Sequence, residues 1–224
     1  GGAFMTLEEA MRTRHTVRRY TEEKIPQDLL ARLDERMRGS NERRGLAMSL
    51  VTENTEAFGP ALKLFLAKGV RNYLILAGPD RPGLDEAVGY CGADMMLFAQ
   101  TLGLNSWWVG GTYSRKGVER NAAPGAGKIL GLIALGYGRT QGVPHRSKRP
   151  EEVASYAGPA PEWFVKGVEA LLLAPTALNR QAFTVRGEGR KVSITCGGAF
   201  SGVDLGIGKY HFEIGAGREA FCWA

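Results

Sequence analysis

Apolar runs separated by short polar breaks occur along the whole chain, and their spacing predicts both helices and strands. The longest helical pattern, residues 84–102, is apolar on most of its sides, so we expect this helix at the centre of a core. Continuous apolar runs at residues 71–78 and 129–137 are typical of buried strands. The pattern favours an α+β class, with further helices predicted over 7–13, from Pro26 to a C-cap at Gly39, over 56–68 and over 162–173, and further strands over 46–52, 103–112 and 191–196.

A weak repeat at an offset of 114 positions divides this pattern into two halves. Gly92 and Gly206 correspond at this offset, as do Gly103 and Gly217, and each pair brackets a helix that precedes a strand with tryptophan. The stiff Gly-Pro-Ala-Pro sequence at 158–161 is the best boundary. We therefore predict two domains, a first half at residues 5–157 and a truncated second half at residues 161–224.

Composition limits the class of protein. With 224 residues, of which 44% are hydrophobic, the chain can bury a substantial core. No run approaches the ~20 apolar residues that a membrane span needs, and no cleavable signal pattern opens the chain. Residues 1–4, ahead of Met5, are expected to be a tag remnant. Three widely separated cysteines without CxxC spacing argue against a disulfide framework and a zinc site, and they predict a reducing cytoplasm.

The charge of the chain is strongly basic. A net charge of +6 and a pI of about 9.3 are compatible with nucleic-acid binding. However, the excess positive charge lies at residues 12–19, 32–44 and 139–149, and no helix-turn-helix or RNP-like pattern accompanies it. Basic pockets for anionic cofactors produce the same balance, so nucleic-acid binding ranks second.

The densest group of candidate binding residues directly follows the first predicted helix, which opens with a Thr6/Glu9 capping box. In an extended backbone, Arg14, Thr16 and Arg18 would point to one side. Two guanidiniums and a hydroxyl aimed at one point suit a phosphate group, which offers several anionic oxygens. The alternative is a solvated basic turn, which is the commoner role of a charge run.

Two later stretches suit a flat ligand. The adjacent Gly110 and Gly111 end a predicted strand, where a backbone N–H can approach a ring closely because no Cβ intervenes. An ordinary turn explains this pair equally well. Residues 174–183 form a proline-containing loop whose hydroxyl and two amides, from Thr176, Asn179 and Gln181, suit the edge of a uracil-like heterocycle.

Together these stretches resemble the FMN-dependent nitroreductase family. Arg14-His15-Thr16-Val17-Arg18 resembles its Arg-Arg-Ser-x-Arg phosphate motif, and Gly103-Leu104-Asn105-Ser106 with Val109-Gly110-Gly111 resembles its Gly-Leu-Gly-Thr strand and flavin-facing turn. The segment that starts at Arg149-Pro150 is similar to the late basic segment of the phosphate site, and residues 174–183 are similar to the family's Pro-Ser-x-x-Asn-x-Gln-Pro-Trp loop.

The order of the motifs departs from the usual family pattern, because the asparagine loop normally lies early, where this chain has residues 39–44. The chain therefore resembles the fused branch of the family, in which one chain holds two degenerate halves and mimics the usual dimer. This resemblance implies a three-layer fold with a central, mostly antiparallel sheet flanked by helices. It also implies one FMN per chain, because the second half has no basic opening like residues 14–18.

The resemblance also implies the site residues. The phosphate would be bound by Arg14, His15, Thr16, Arg18 and Arg149. The isoalloxazine would contact the backbone of Gly110 or Gly111, pack on Pro175, Thr176 and Ala177, and meet Asn179 and Gln181 at its pyrimidine side. No side chain is an obvious catalytic acid or base, and no metal ligand set is evident: His145 and His211 have no carboxylate or cysteine nearby that suggests a triad or a metal.

The expected function is electron transfer by FMN from NADH or NADPH to a small acceptor, such as a nitroaromatic or a quinone. The expected partner is therefore a small-molecule electron acceptor, and binding to nucleic acid or to a membrane is not expected. The chain is expected to be a monomer that mimics a dimer and is able to associate further. A flavin-binding protein without turnover is the first alternative, and a basic nucleic-acid binder is the second.

Overall fold

The computed structural model describes residues 5–224, so residues 1–4, the expected tag remnant, lie outside the described part. The described chain forms eight α-helices: α1 Leu7–Thr13, α2 Gln27–Arg44, α3 Pro60–Phe65, α4 Leu84–Thr101, α5 Arg115–Asn121, α6 Pro150–Val153, α7 Glu162–Leu171 and α8 Ser201–Ala216. It also forms eight strands: β1 Ser49–Val51, β2 Asn72–Gly78, β3 Asn105–Val109, β4 Lys128–Gly136, β5 Ala154–Tyr156, β6 Phe183–Glu188, β7 Lys191–Cys196 and β8 Cys222–Trp223.

The first sheet has the order β1-β2-β4-β3 and is antiparallel throughout. Every residue of β2 is buried, as its continuous apolar run predicts. Helix α4 covers this sheet and buries most of its own side chains, which confirms its predicted central position. The first sheet is therefore well buried on the side of α4, and residues at the ends of its strands can line a ligand-binding site.

A second four-stranded sheet has the order β5-β6-β7-β8. Its central pair, β6 and β7, is antiparallel and alternates buried with exposed residues, so only one face of the sheet is covered. The outer strands β5 and β8 pair parallel to their neighbours. The predicted α+β class with a mostly antiparallel sheet is confirmed, and the strands divide between two sheets.

The two sheets are joined through α4 and α8, which approach so closely that their contact requires glycine. A Cβ at Gly89 would overlap the carbonyl oxygen of Val203 and would lie 3.1 Å from the Ile207 nitrogen. No other residue fits there without a backbone shift.

The same contact occurs in the opposite direction at Gly206. A Cβ at Gly206 would overlap the carbonyl oxygen of Glu86 and would lie 2.7 Å from the Tyr90 nitrogen. Gly206 lies 117 positions after Gly89. In the same way, Val203 and Ile207, which contact Gly89, lie 117 positions after Glu86 and Tyr90, which contact Gly206. The two helices thus exchange equivalent contacts.

Several sequence expectations need correction. Gly39 does not end α2, because the helix continues to Arg44 and Gly45 takes the left-handed conformation at its C-cap, with φ 62°. The equivalent contacts of α4 and α8 have an offset of 117 rather than the expected 114, and they match Gly206 with Gly89 rather than with Gly92. Helix α5 was not predicted. Within residues 5–224, no helix is both long and apolar enough to cross a membrane.

Candidate functional site

The clamp segment, residues 14–18, runs along strand β3 directly after α1. Thr6 caps that helix, as predicted, by accepting a hydrogen bond of 3.1 Å from the Glu9 nitrogen. The Arg14 guanidinium donates to Ser106 Oγ at 3.2 Å, and the neighbouring Thr16 forms a parallel bridge with the backbone of the same serine. The β3 backbone therefore fixes the position of the clamp.

Arg14 and Arg18 differ in their environment. Arg14 is only 6% exposed, whereas Arg18 is exposed and its guanidinium lies 5.5 Å from the centre of the Trp107 ring. Among residues 5–224, no carboxylate lies within the 4.0 Å of an ion pair with Arg14. Burial lowers the pKa of Arg14 to about 10. An unpaired buried cation is costly, and an anionic ligand would offset that cost.

Two histidines next to this guanidinium, His15 and His211, have lowered pKa values and so add little positive charge to the region at neutral pH. Partial burial lowers the pKa of His15, and the charges of Arg14 and His145 lower it further. Burial lowers the pKa of His211 to about 4, and its Nδ1 donates to the Ile207 carbonyl at 2.8 Å. A neutral His211 next to Arg14 leaves the guanidinium as the local charge at neutral pH.

His145 connects the clamp to the amide loop, residues 174–181. Its Nε2 lies 2.8 Å from the Leu172 carbonyl oxygen and 3.1 Å from Gln181 Nε2. Gln181 is completely buried; its Nε2 also donates to the Leu172 carbonyl at 2.9 Å, and its Oε1 accepts from the Lys148 nitrogen at 2.7 Å. The Gln181 amide thus joins the amide loop to the segment 145–148, and its hydrogen bonds are all internal.

The amide loop is held in a strained conformation. Leu178, Asn179 and Gln181 all have positive φ values, of 53°, 53° and 48°. Such a backbone persists only where surrounding contacts enforce it, and it is concentrated at ligand sites. Here Thr176 Oγ1 accepts from the Gln181 nitrogen at 3.0 Å, and Asn179 Nδ2 donates to the Arg146 carbonyl at 2.8 Å.

Asp204 in α8 fixes the start of this loop. Both of its carboxylate oxygens accept from the Ala177 nitrogen, at 3.3 and 3.1 Å. Burial raises the pKa of Asp204 to about 6, and the hydrogen bond from Ala177 acts in the opposite direction. The carboxylate therefore changes charge near neutral pH, beside Pro175 and Thr176.

The glycine turn, Gly110-Gly111, opens into a first cleft of about 450 Å³. Phe200 lies over the turn, since its ring comes within 3.5 Å of a Cβ placed at Gly110, and it is half exposed. Phe200 has φ 61°, which is unusual for an aromatic residue. Tyr113, Arg115, Asp85 and Glu119 also line this cleft, so it combines aromatic groups with charges of both signs.

Arg149 lies at the start of α6, and within residues 5–224 its ion pairs are with neighbouring glutamates. Its guanidinium is 3.6 Å from Glu151 and 3.7 Å from Glu152, and its side chain is mostly exposed. Its backbone nitrogen donates to Glu152 at 2.7 Å, at the start of α6. The described contacts show that Arg149 caps the start of α6. Its part in a phosphate site stays a prediction.

Comparison with known proteins identifies the family. A family model described as "Putative TM nitroreductase" matches residues 6–216. The chain belongs to this nitroreductase family. Membership supports an oxidoreductase function. A search of curated proteins gives no match.

Solved structures share the nitroreductase fold. A protein of Thermotoga maritima MSB8, titled a putative nitroreductase, has a TM-score of 0.68 and 22% identity, covering 98% of this chain and 87% of its own. A nitroreductase of Exiguobacterium sibiricum 255-15, solved in complex with FMN and also titled putative, has a TM-score of 0.52 and 11% identity, covering 67% of this chain and 97% of its own. At these identities the likeness concerns the fold.

Sequence reasoning missed three residues of this nitroreductase's candidate site. Phe200 carries no sequence signal, because it precedes a helix without a recognisable cap. Asp204 was overlooked because its partner is a backbone nitrogen 27 positions away. His145 was set aside for lack of a nearby carboxylate, whereas its partners in the structure are a carbonyl and an amide.

Proposed function

We propose that this chain is an FMN-dependent oxidoreductase that passes electrons from NADH or NADPH to a small acceptor such as a nitroaromatic or a quinone. The observation that carries the proposal is the buried Arg14 guanidinium, which has no carboxylate partner among residues 5–224. A strained, amide-rich loop is linked to the same region through His145, which contacts Gln181 and, like Arg14, acts on the pKa of His211, and the chain belongs to the nitroreductase family. The FMN in the Exiguobacterium structure supports the choice of anion.

The residues present fit FMN. Arg14, Thr16 and Arg18 would bind the phosphate by charge-assisted hydrogen bonds. Arg14 contacts Ser106 and Arg18 contacts the adjacent Trp107, whose side chains face opposite sides of β3, so their meeting at one phosphate stays a prediction. The glycine turn would receive the ring, since Gly110 has no Cβ and its nearest side-chain neighbour is Phe200. When bound, FMN supplies the two-electron chemistry that no side chain here provides.

The remaining site residues orient the ligand. Pro175, Thr176 and Ala177 would pack against the ring, held in place by Asp204. Gln181 and Asn179 were expected to meet the pyrimidine, and that contact stays a prediction because both amides make internal hydrogen bonds. Their proposed role is to hold the amide loop. His15, beside Arg14, would contact the phosphate side as a neutral imidazole.

We further propose that residues 5–157 and 161–224 are two degenerate halves that together form a single flavin site. The reciprocal contacts of Gly89 and Gly206 support this arrangement. One FMN per chain is expected, because the second half has no counterpart of the clamp segment. The electron donor, a cytoplasmic location and further self-association remain predictions.

The test begins with FMN addition, desalting and an absorbance spectrum. Bands near ~370 and ~450 nm at about one flavin per chain are expected for a bound flavin. Anaerobic NADPH or NADH should then bleach the bands, and a quinone or nitroarene should restore them. Bound flavin without bleaching would favour a flavin-binding protein. No retained flavin would refute the proposal, and steep salt-dependent binding to random duplex would then indicate a nucleic-acid binder.

A further inference from the structure

A second cleft, of about 400 Å³, lies where the end of α2 meets α4 and α8. It is distinct from the clamp and from the glycine turn, and the proposed function does not use it. Four cations and two aromatic rings line it, and those argued below are Arg43, Arg44, Arg81, Lys209, Tyr90 and Trp223.

The cations of this second cleft exceed its carboxylates. Lys209 Nζ lies 2.7 Å from Glu86 Oε1, and Glu213, the other acidic residue of the lining, lies 3.6 Å from Arg218. These pairs leave the three arginines at positions 43, 44 and 81 without a carboxylate within 4.0 Å in the described part of the chain. Three unpaired guanidiniums around one cleft favour a multivalent anion, which accepts several charge-assisted hydrogen bonds.

Arg44 and Arg81 are positioned by contacts with neutral groups, and the charge of Arg44 acts on Glu213 without an ion pair within 4.0 Å in the described part of the chain. Arg44 lies over the Tyr90 ring, at 4.7 Å from its centre. Arg81 donates to the Arg44 carbonyl at 2.6 Å and so ties the end of α2 to the segment before α4. Both partners are neutral, so the guanidiniums are oriented but not paired.

Aromatic surface lies beside this charge. Trp223 ends the chain's last strand and lines the cleft, with Lys209 Nζ at 5.3 Å from its ring centre. Tyr90 provides a second ring. A ligand that joins a phosphate to a flat heterocycle would meet both features at once.

The position of the second cleft follows from the exchange of α4 and α8. At the offset of 117, Trp223 corresponds to Ser106, which holds Arg14. Ala87 and Gly83, which also line the second cleft, correspond to Asp204 and Phe200. The second cleft is thus the counterpart of the proposed flavin site, with arginines in place of the clamp and the amide loop.

We propose that the second cleft binds the phosphate of a small aromatic phosphate, such as a nucleoside monophosphate, through Arg43, Arg44 and Arg81, with the heterocycle against Trp223. This site is separate from the proposed flavin site and is occupied independently of it. Neutral nucleosides bind much more weakly, because they leave the guanidiniums without an anion.

The test is calorimetric titration of AMP into the full chain, both alone and with one equivalent of FMN. We expect one AMP site under both conditions, and adenosine should bind at least about tenfold more weakly. R44Q and R81Q should each weaken AMP binding by about tenfold or more, since each removes a charge-assisted contact. W223L should weaken AMP binding but leave inorganic phosphate binding unchanged.

Arg38→Gln is the matched control, because Arg38 lies on the same helix α2 but pairs with Asp34 outside the cleft. It should leave AMP affinity unchanged. The proposal is overturned if AMP shows no binding below about 10 mM, or if R44Q and R81Q bind AMP like the parent. Competition by one equivalent of FMN would also overturn it, since AMP would then occupy the flavin site. Failure of FMN binding would refute the proposed function alone.

Discussion

Replacing Arg14 by glutamine should make the ligand-free protein more stable while it weakens FMN binding. Burial lowers the pKa of Arg14 from 12.5 to about 10, which corresponds to about 3 kcal/mol for holding the charge away from water. Loss of the 3.2 Å hydrogen bond to Ser106 would cost about 1 kcal/mol. The net gain of about 2 kcal/mol predicts a rise in Tm of roughly 4–8 °C for a chain of this size.

The same substitution removes a charge-assisted contact to the phosphate, so FMN should bind about 10–100-fold more weakly. Arg18→Gln is the matched control, because Arg18 is exposed and pays no comparable burial cost. It should lose FMN affinity in the same way while the stability of the ligand-free protein stays within about 0.5 kcal/mol. Thermal unfolding followed by circular dichroism, without and with FMN, measures both quantities.

The reasoning is refuted if Arg14→Gln destabilises the ligand-free protein by more than about 1 kcal/mol, because Arg14 would then serve the fold rather than an anion. Unchanged FMN affinity in both variants would show that the clamp segment does not bind the phosphate.

Three further outcomes are expected. Gly206→Ala should lower stability by about 1–3 kcal/mol, because its Cβ would overlap a carbonyl of α4, whereas Gly197→Ala, with no atom within 4 Å of its Cβ, should change it little in chemical denaturation. Asp204 has a folded-state pKa raised to about 6, so its protonated form stabilises the folded protein; this stabilisation is complete below about pH 4 and is lost as pH rises through 6. In Asp204→Asn, Tm should fall less over this pH range, and an unchanged dependence of Tm on pH would contradict the assignment. Gln181→Leu would leave the Lys148 N–H unpaired, so we expect a loss of about 1–3 kcal/mol and faster hydrogen exchange at that amide; unchanged exchange would show that the amide loop is held by other contacts.

Local sequence patterns predicted the elements whose structure depends on near neighbours. The Thr6 cap depends on a residue three positions away. Strand β2 and helix α4 are apolar over most of their length, so burial on every side was evident from the sequence alone. Gly39 was misjudged because α2 continues through a glycine once its apolar side is packed, since packing outweighs a propensity cost of about 1 kcal/mol.

Long-range partners explain what the sequence did not predict. Gln181 was identified as a polar group in a proline-started loop, but its partners are the Lys148 nitrogen and the Leu172 carbonyl. Either a bound heterocycle or the protein backbone can satisfy an amide, and the residue type does not distinguish them. Asp204 was missed for the same reason, because its partner Ala177 is distant in sequence.

The contact between α4 and α8 explains how the two clefts differ while the fold is preserved. The exchanged contacts at Gly89 and Gly206 are made with backbone atoms, so they require glycine at these two positions. They place no such requirement on the residues that line the two clefts. Side chains of both helices, with Ala93 and Leu97 from one and Ile207 from the other, also share one buried cluster. Neither helix could bury this surface alone, so each proposed half needs the other to fold. In the proposed two-half arrangement, residues at the two clefts can therefore differ without disturbing this shared core.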